Sequence, residues 1–184
     1  MIDIQSLLAT WDTKFRDHPD GAELPPHHPH CLGCGPDNHH GHHLLVRRRG
    51  DGVIATHVFD ERHVGAPGIA HGGAVATVLD DLLGFLLYLT GQPAVTRSLT
   101  TEYLSPVLLG VQYQLAGRTL ETDGRKRHVE AEVIDPQQRI VARATALFVA
   151  VDVAHFEQAH SPGGSVTIPG TPVETGSETD QSIA

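Results

Sequence analysis

The sequence predicts an α+β domain in which an antiparallel sheet wraps one long buried helix. Three observations carry this. The stretch 68–89, GIAHGGAVATVLDDLLGFLLYL, turns almost wholly apolar after its opening glycines and contains no proline, which reads as a core helix. The segments around it alternate apolar and polar residues, as strands with one buried face do. Turn signals at Gly50-Asp51-Gly52, Thr122-Asp123-Gly124 and Asp135-Pro136 join them closely, which makes sequential strands antiparallel.

In chain order, Ile4, Leu7, Leu8, Trp11 and Phe15 have helical spacing and predict an amphipathic helix over 2–15, packed on the body. Pro, Gly and His from His18 to Pro29 predict a loop. Strands follow at Leu44–Arg49 and Val53–Asp60, then the central helix, then strands at Ala94–Tyr103, Val111–Leu115, Val129–Val133 and Ile140–Val151. From Ser161 the chain is Gly, Pro, Ser, Thr and acid, which predicts a flexible tail. The expected organisation is therefore an N-terminal helix and loop over 1–30, the sheet-and-helix domain over 31–158, and an acidic tail over 159–184.

The 184 residues carry a formal charge of −9, which argues against a nucleic-acid binder. No Lys or Arg follows Arg143, so part of that charge belongs to the tail. The start MIDIQSLLATWDTKF is acidic and lacks a long apolar run, so no export signal is expected. A cytoplasmic protein with reduced thiols at Cys31 and Cys34 is the default. The central helix is interrupted by two carboxylates and is not expected to span a membrane.

Those carboxylates, Asp80 and Asp81, point about 100° apart on a helix, so at least one faces protein; Asp80 is read as that one and Asp81 as a solvated or interfacial charge. Burial without partners costs several kcal/mol, which marks the pair as functional or specially held. At the helix start, His71-Gly72-Gly73 combines unpaired backbone N–H groups with glycines that admit a ligand, the equipment for holding an oxyanion. Gly72 and Asp80 are eight residues apart, roughly 12 Å along a helix. Amide and acid serving one carbonyl must both lie within about 3 Å of it. They meet only if two antiparallel copies pair, so the spacing predicts a dimer.

The segment HHPHCLGCGPDNHHGHH holds a C-x-x-C pair, and seven histidines lie from His27 to His43. One reading is zinc held by Cys31, Cys34 and two of these histidines. The other, which we adopt for this reading, is a metal-free loop whose glycines and Asn38 make turns.

Three segments resemble the hotdog-fold acyl-CoA thioesterases of the PaaI-like branch. GIAHGGAVATVLDD is similar to that branch's H-G-G with an acid nine positions after the histidine; TRSLTTEYLSPV is similar to its Ser/Thr strand; CLGCGPDNHHG is similar to a cysteine-rich segment preceding the domain. The resemblance covers about 31–151. It implies a hotdog fold and hydrolysis of an acyl-CoA to a carboxylic acid and CoA, without metal or organic cofactor. Asp80 would be base or nucleophile, Gly72 would polarise the carbonyl through its N–H, His71 and Gly73 would shape that turn, and Thr96 would position water or carboxylate. It also implies a homodimer or a dimer of dimers. Arg125 and Arg127 match the place where related enzymes meet CoA phosphates. One departure stands out. Some members carry Asn six residues before the histidine; here it is Gly65, and His63 is the polar group nearby. Two other readings stay open: an acyl-CoA-binding module without turnover, and enoyl-thioester hydration pairing Asp80 with His71 or His63.

Overall fold

The computed structural model describes residues 10–160 and 169–170. Its elements are α1 (Trp11–Lys14), β1 (Val46–Arg49), β2 (Gly52–Val58), a 3-10 turn (Glu61–His63), β3 (Val64–Ala66), β4 (Ile69–Ala70), α2 (Gly72–Gly84), α3 (Leu86–Thr90), β5 (Ala94–Tyr103), β6 (Gln112–Asp123), β7 (Lys126–Ile134), β8 (Ile140–Ala150) and α4 (Val153–His160). Six strands form one sheet in the order β1-β2-β6-β7-β8-β5, every pair antiparallel. The chain crosses from β2 to β5 through α2 and α3, which lie in the curve of the sheet. This is the predicted architecture. The predicted helix over 2–15 is helical at 11–14, with residues 2–9 outside the described set; of the tail predicted over 159–184, residues 159–160 instead end α4, 169–170 form a turn, and the rest lies outside the described set. The β3–β4 hairpin and α4 were not foreseen.

Binary patterning explains the core. Strand β7 alternates strictly, with Val129, Ala131 and Val133 buried, and β8 buries Ala142, Ala144 and Ala146. These small residues let the helix approach the sheet closely, and Val75, Val78, Leu79, Leu82 and Leu83 of α2 fill the space between. A Cβ added at Gly117 on β6 would sit 3.2 Å from Val53 Cγ2 and 3.6 Å from Leu82 Cδ2, so that glycine is part of the fit. The stretch 72–90 is long and apolar enough to cross a membrane, and 56% of its most apolar window is buried inside this fold.

The histidine-rich segment divides by environment. His30, His39, His40 and His43 are exposed, whereas His42 is buried with His57 of β2 and His63 of the 3-10 turn. His42 Nδ1 lies 3.3 Å from His57 Nε2, and the His42 and His63 rings stack at 4.1 Å. His63 Nδ1 accepts from the Asp60 N–H, so this ring is a structural cap. Burial first, then the neighbouring His63, pushes His42 down to about 3 and His57 down to about 4; Arg62 acts in the same direction and Asp60 opposes it.

Two predictions follow from this packing. Leu82 is fully buried, so Leu82→Ala should cost about 2–5 kcal/mol in urea unfolding, and a loss below about 1 kcal/mol would contradict the packing described. The fold prefers neutral His42 and His57, so unfolding takes up protons below the ordinary value of 6.5; stability is full above that pH and falls as pH drops from it toward 4 and 3. Their ring signals in NMR should keep neutral shifts at pH 5, and titration of both near 6.5 would contradict this burial.

Candidate active site

Asp80 and Asp81 are adjacent on α2 and face different neighbours, as helical geometry requires. Asp80 is half-buried and looks toward β5, where Thr96 Oγ1 donates to its Oδ1 at 3.1 Å. The pairing of β5 with β8 shifts register between Thr96 and Ser98, a bulge beside the site of the kind that re-aims a side chain. Burial raises the Asp80 pKa; the Thr96 bond and the His27 charge pull it back in part. The result is a carboxylate whose basicity exceeds that of an exposed aspartate.

Asp80 and Thr96 border a cleft of about 320 Å³. Its walls are largely apolar: Trp11 and Phe15 from the N-terminal segment, Leu87 from α3, Phe148 from β8 and Phe156 from α4. Trp11 meets Phe156 edge-on at 4.8 Å and Phe15 meets Tyr88 at 5.1 Å, so the two ends of the described chain close over one side of it. Tyr88 also borders the cleft, and its hydroxyl is buried without a partner among the described residues.

The glycine turn lies elsewhere. His71 caps α2: its Nδ1 accepts from the Gly73 N–H at 2.9 Å, and its backbone is extended, with φ −63° and ψ 134°. That commits the Gly73 amide, while no intramolecular acceptor among the described residues meets the Gly72 N–H. Tyr103 Oη donates to the Gly72 carbonyl at 2.7 Å, and its ring covers the place a Gly72 side chain would take. Gly72 and Tyr103 border a second cleft, of about 390 Å³, which contains neither Asp80 nor Thr96. Within one chain, amide and acid therefore open into different clefts.

Three expectations need correction. Arg127, assigned to CoA phosphates, is buried, and its guanidinium donates to the carbonyls of Gly124 and Lys126 and to Gln92 Oε1. It braces the β6–β7 turn; the exposed side chains there are Arg125, whose Nε donates to the Ala150 carbonyl, and Lys126. His63 borders neither cleft and does not replace the polar group missing at Gly65. A Cβ at Gly65 would come within 2.6 Å of His71 Cα, so the departure from the family pattern has a steric cause. Asp81, read as a solvated or interfacial charge, is buried: His27 Nδ1 lies 3.0 Å from its Oδ1, and Cys31 Sγ donates to the same oxygen at 3.1 Å.

The cysteine loop thus docks on the back of the helix turn that carries Asp80. Sequence spacing did not reveal this, because His27 and Asp81 are 54 residues apart. Two groups of donors have metal-like proximity, each with its atoms within 4.8 Å of one another: His27, Cys31, Cys34 and Asp81, and the buried trio His42, His57 and His63.

With this geometry in hand, the relatives can be placed. Residues 67–142, which contain Gly72, Asp80 and Thr96, match the thioesterase superfamily. The chain is 32% identical over 87 residues to acyl-coenzyme A thioesterase THEM4 of Xenopus laevis, covering 46% of this chain and 39% of that protein. It is 30% identical over 121 residues to an uncharacterised protein of Schizosaccharomyces pombe, covering 62% of this chain and 69% of that one. Among solved structures, the thioesterase superfamily protein RHA08564 superimposes with a TM-score of 0.63 at 27% identity, over 66% of this chain and 60% of that one. The protein smu.793 of Streptococcus mutans, solved bound to acetyl CoA, gives 0.53 at 28% identity, over 55% of this chain and 82% of that one. The chain spans well under half the length of the THEM4 relative, 39%. By fold, by the matched segment and by these relatives, this chain belongs to the thioesterase superfamily of hotdog-fold proteins.

Proposed function

We propose that this protein hydrolyses an acyl-CoA thioester to a carboxylic acid and free CoA. The observation that carries the reading is Asp80: a carboxylate of raised basicity, hydrogen-bonded to Thr96, at the edge of an apolar cleft of about 320 Å³. The acyl group would lie among Trp11, Phe15, Leu87, Phe148 and Phe156, where desolvation favours an apolar tail. Asp80 would attack the thioester carbon or take the proton of an attacking water, with Thr96 fixing the rotamer of the carboxylate. The names of the relatives support the substrate class: one is called an acyl-coenzyme A thioesterase, and one was solved with acetyl CoA.

The oxyanion contact would come from the Gly72 N–H of a second copy. Two observations support a dimer. Gly72 and Asp80 border different clefts of one chain. The ten-residue strand β5 lies at an edge of the sheet, its outer side unpaired among the described residues, and ends at exposed Tyr103 and Leu104; a long open edge is usually covered. Arg125 and Lys126 are the exposed cations available near β7 for CoA phosphates. The hydratase reading loses support, since His71 and His63 border neither cleft. A binding module differs from the enzyme only in turnover.

The test is thiol release from short, long and aromatic acyl-CoAs. Asp80→Asn should lower kcat by about 10²–10⁴-fold while the protein stays folded. Retained activity would remove Asp80 from the reaction, and binding without release in the wild type would favour a module. The pH profile of kcat/KM gives a second check. The reaction needs the Asp80 carboxylate, so activity should fall as pH drops through a value above the ordinary 3.8. Thr96→Ala removes a bond that lowers this pKa, so its acid limb should move further up; an unmoved limb would contradict the positioning role.

A further inference from the structure

At the inner wall of the cleft, which His27 and Asp81 border, His27, Cys31, Cys34 and Asp81 bring their donor atoms within 4.8 Å of one another. His27 Nδ1 lies 3.0 Å from Asp81 Oδ1 and 3.3 Å from Cys34 Sγ, and Cys31 Sγ lies 3.1 Å from the same Asp81 oxygen. Zinc bonds to S, N and O at tetrahedral angles put such donors about 3.3–3.8 Å apart, slightly wider than these contacts. The protons alone make a poor network. One imidazole nitrogen faces both a carboxylate and a thiol, and Asp81 Oδ1 is shared by two donors while Asp81 Oδ2 is buried with no partner among the described residues. A cation among these donors would satisfy all four groups at once.

Glycines around the cluster let its members pack this closely. A Cβ at Gly33 would fall 2.1 Å from Asp81 Cγ, one at Gly35 would fall 2.3 Å from the Cys31 nitrogen, and one at Gly84 would fall 2.9 Å from His27 Cε1. The His27 backbone N–H points at Cys34 Sγ at 3.2 Å, the outer contact that steadies a metal-bound thiolate. Two thiolates, a carboxylate and a neutral imidazole exceed a divalent charge by one negative charge. The Lys14 ammonium, which donates to the His27 carbonyl at 2.6 Å, places a positive charge beside the cluster.

We propose that His27, Cys31, Cys34 and Asp81 form a closed tetrahedral site for a divalent metal, with zinc as its natural occupant. Two thiolates and an imidazole in tetrahedral array suit zinc better than magnesium or calcium, which take oxygen donors. Four protein ligands leave no open position, so the metal is structural. It fastens the loop from His27 to Cys34 onto α2 beside Asp80. The sequence reading of zinc named two histidines beside the cysteines; the fourth ligand here is the helix carboxylate instead.

The test is elemental analysis of the full chain, tag removed and purified without chelator. The site predicts stoichiometric zinc, lost in Cys31→Ser and in Asp81→Asn but kept in His57→Asn. Cobalt added to the metal-free chain should give a thiolate charge-transfer band, which Cys34→Ser weakens. A chelator should lower the melting temperature of the wild type and leave that of Cys31→Ser unchanged. Absence of zinc together with absence of a cobalt band would overturn the site. So would metal retained in Cys31→Ser and lost in His57→Asn, which would assign it to the buried trio of histidines.

Discussion

Two carboxylates on consecutive positions of a core helix each need a partner, and they cannot share one. The 100° step of the α-helix sends Asp80 toward β5 and Asp81 toward the cysteine loop. Much of the molecule is arranged around this constraint. The bulged edge strand supplies Thr96 to the first carboxylate; a loop from the other side of the chain supplies His27 and Cys31 to the second. Burial raises the basicity of both; both border the apolar cleft, but the Oδ1 of Asp81 is engaged by His27 and Cys31, while Asp80 meets Thr96.

The glycine turn obeys a different constraint. A helix start offers several unpaired amides, and here His71 takes one of them while Tyr103 holds the Gly72 carbonyl from behind. The Gly72 N–H meets no acceptor among the described residues, and Gly72 borders a different cleft from its own chain's Asp80. Gly65, in contact with His71 Cα, lets the preceding hairpin pass close to this turn. In the proposed reaction, the acid and the amide serve the same carbonyl, and within one chain they lie on different clefts. A symmetric pair brings such halves together twice over.

The sheet was legible in the sequence because its signal is periodic. Alternation over 129–133 and the turns at Gly124 and Pro136 specify an antiparallel meander, and β5 runs over the predicted Ala94–Tyr103. The β3–β4 hairpin escaped because strands of three and two residues carry no period. The resemblance singled out Asp80 and Thr96, and they meet in the fold; a spacing of sixteen residues says nothing of that contact by itself. Asp81 was misread because its partners lie 50 and 54 residues away, beyond any local pattern. Arg127 was misread because charge in a turn looks alike whether it faces solvent or braces the turn. Its neighbour Arg125 is exposed, and only tertiary structure separates the two.

Subunit complementation tests most directly the claim that one site is built from two chains. Gly72→Pro removes the amide hydrogen at a first helical position where proline is tolerated, after a residue already extended; its Cβ would lie 3.2 Å from the Tyr103 ring, an exposed side chain that can shift to admit it. Mixed and allowed to exchange, Gly72→Pro and Asp80→Asn chains should each be inactive alone and together recover roughly a quarter of the wild-type rate, one intact site in every second dimer. A mixture as inactive as its parents, with exchange verified, would contradict a site shared between chains.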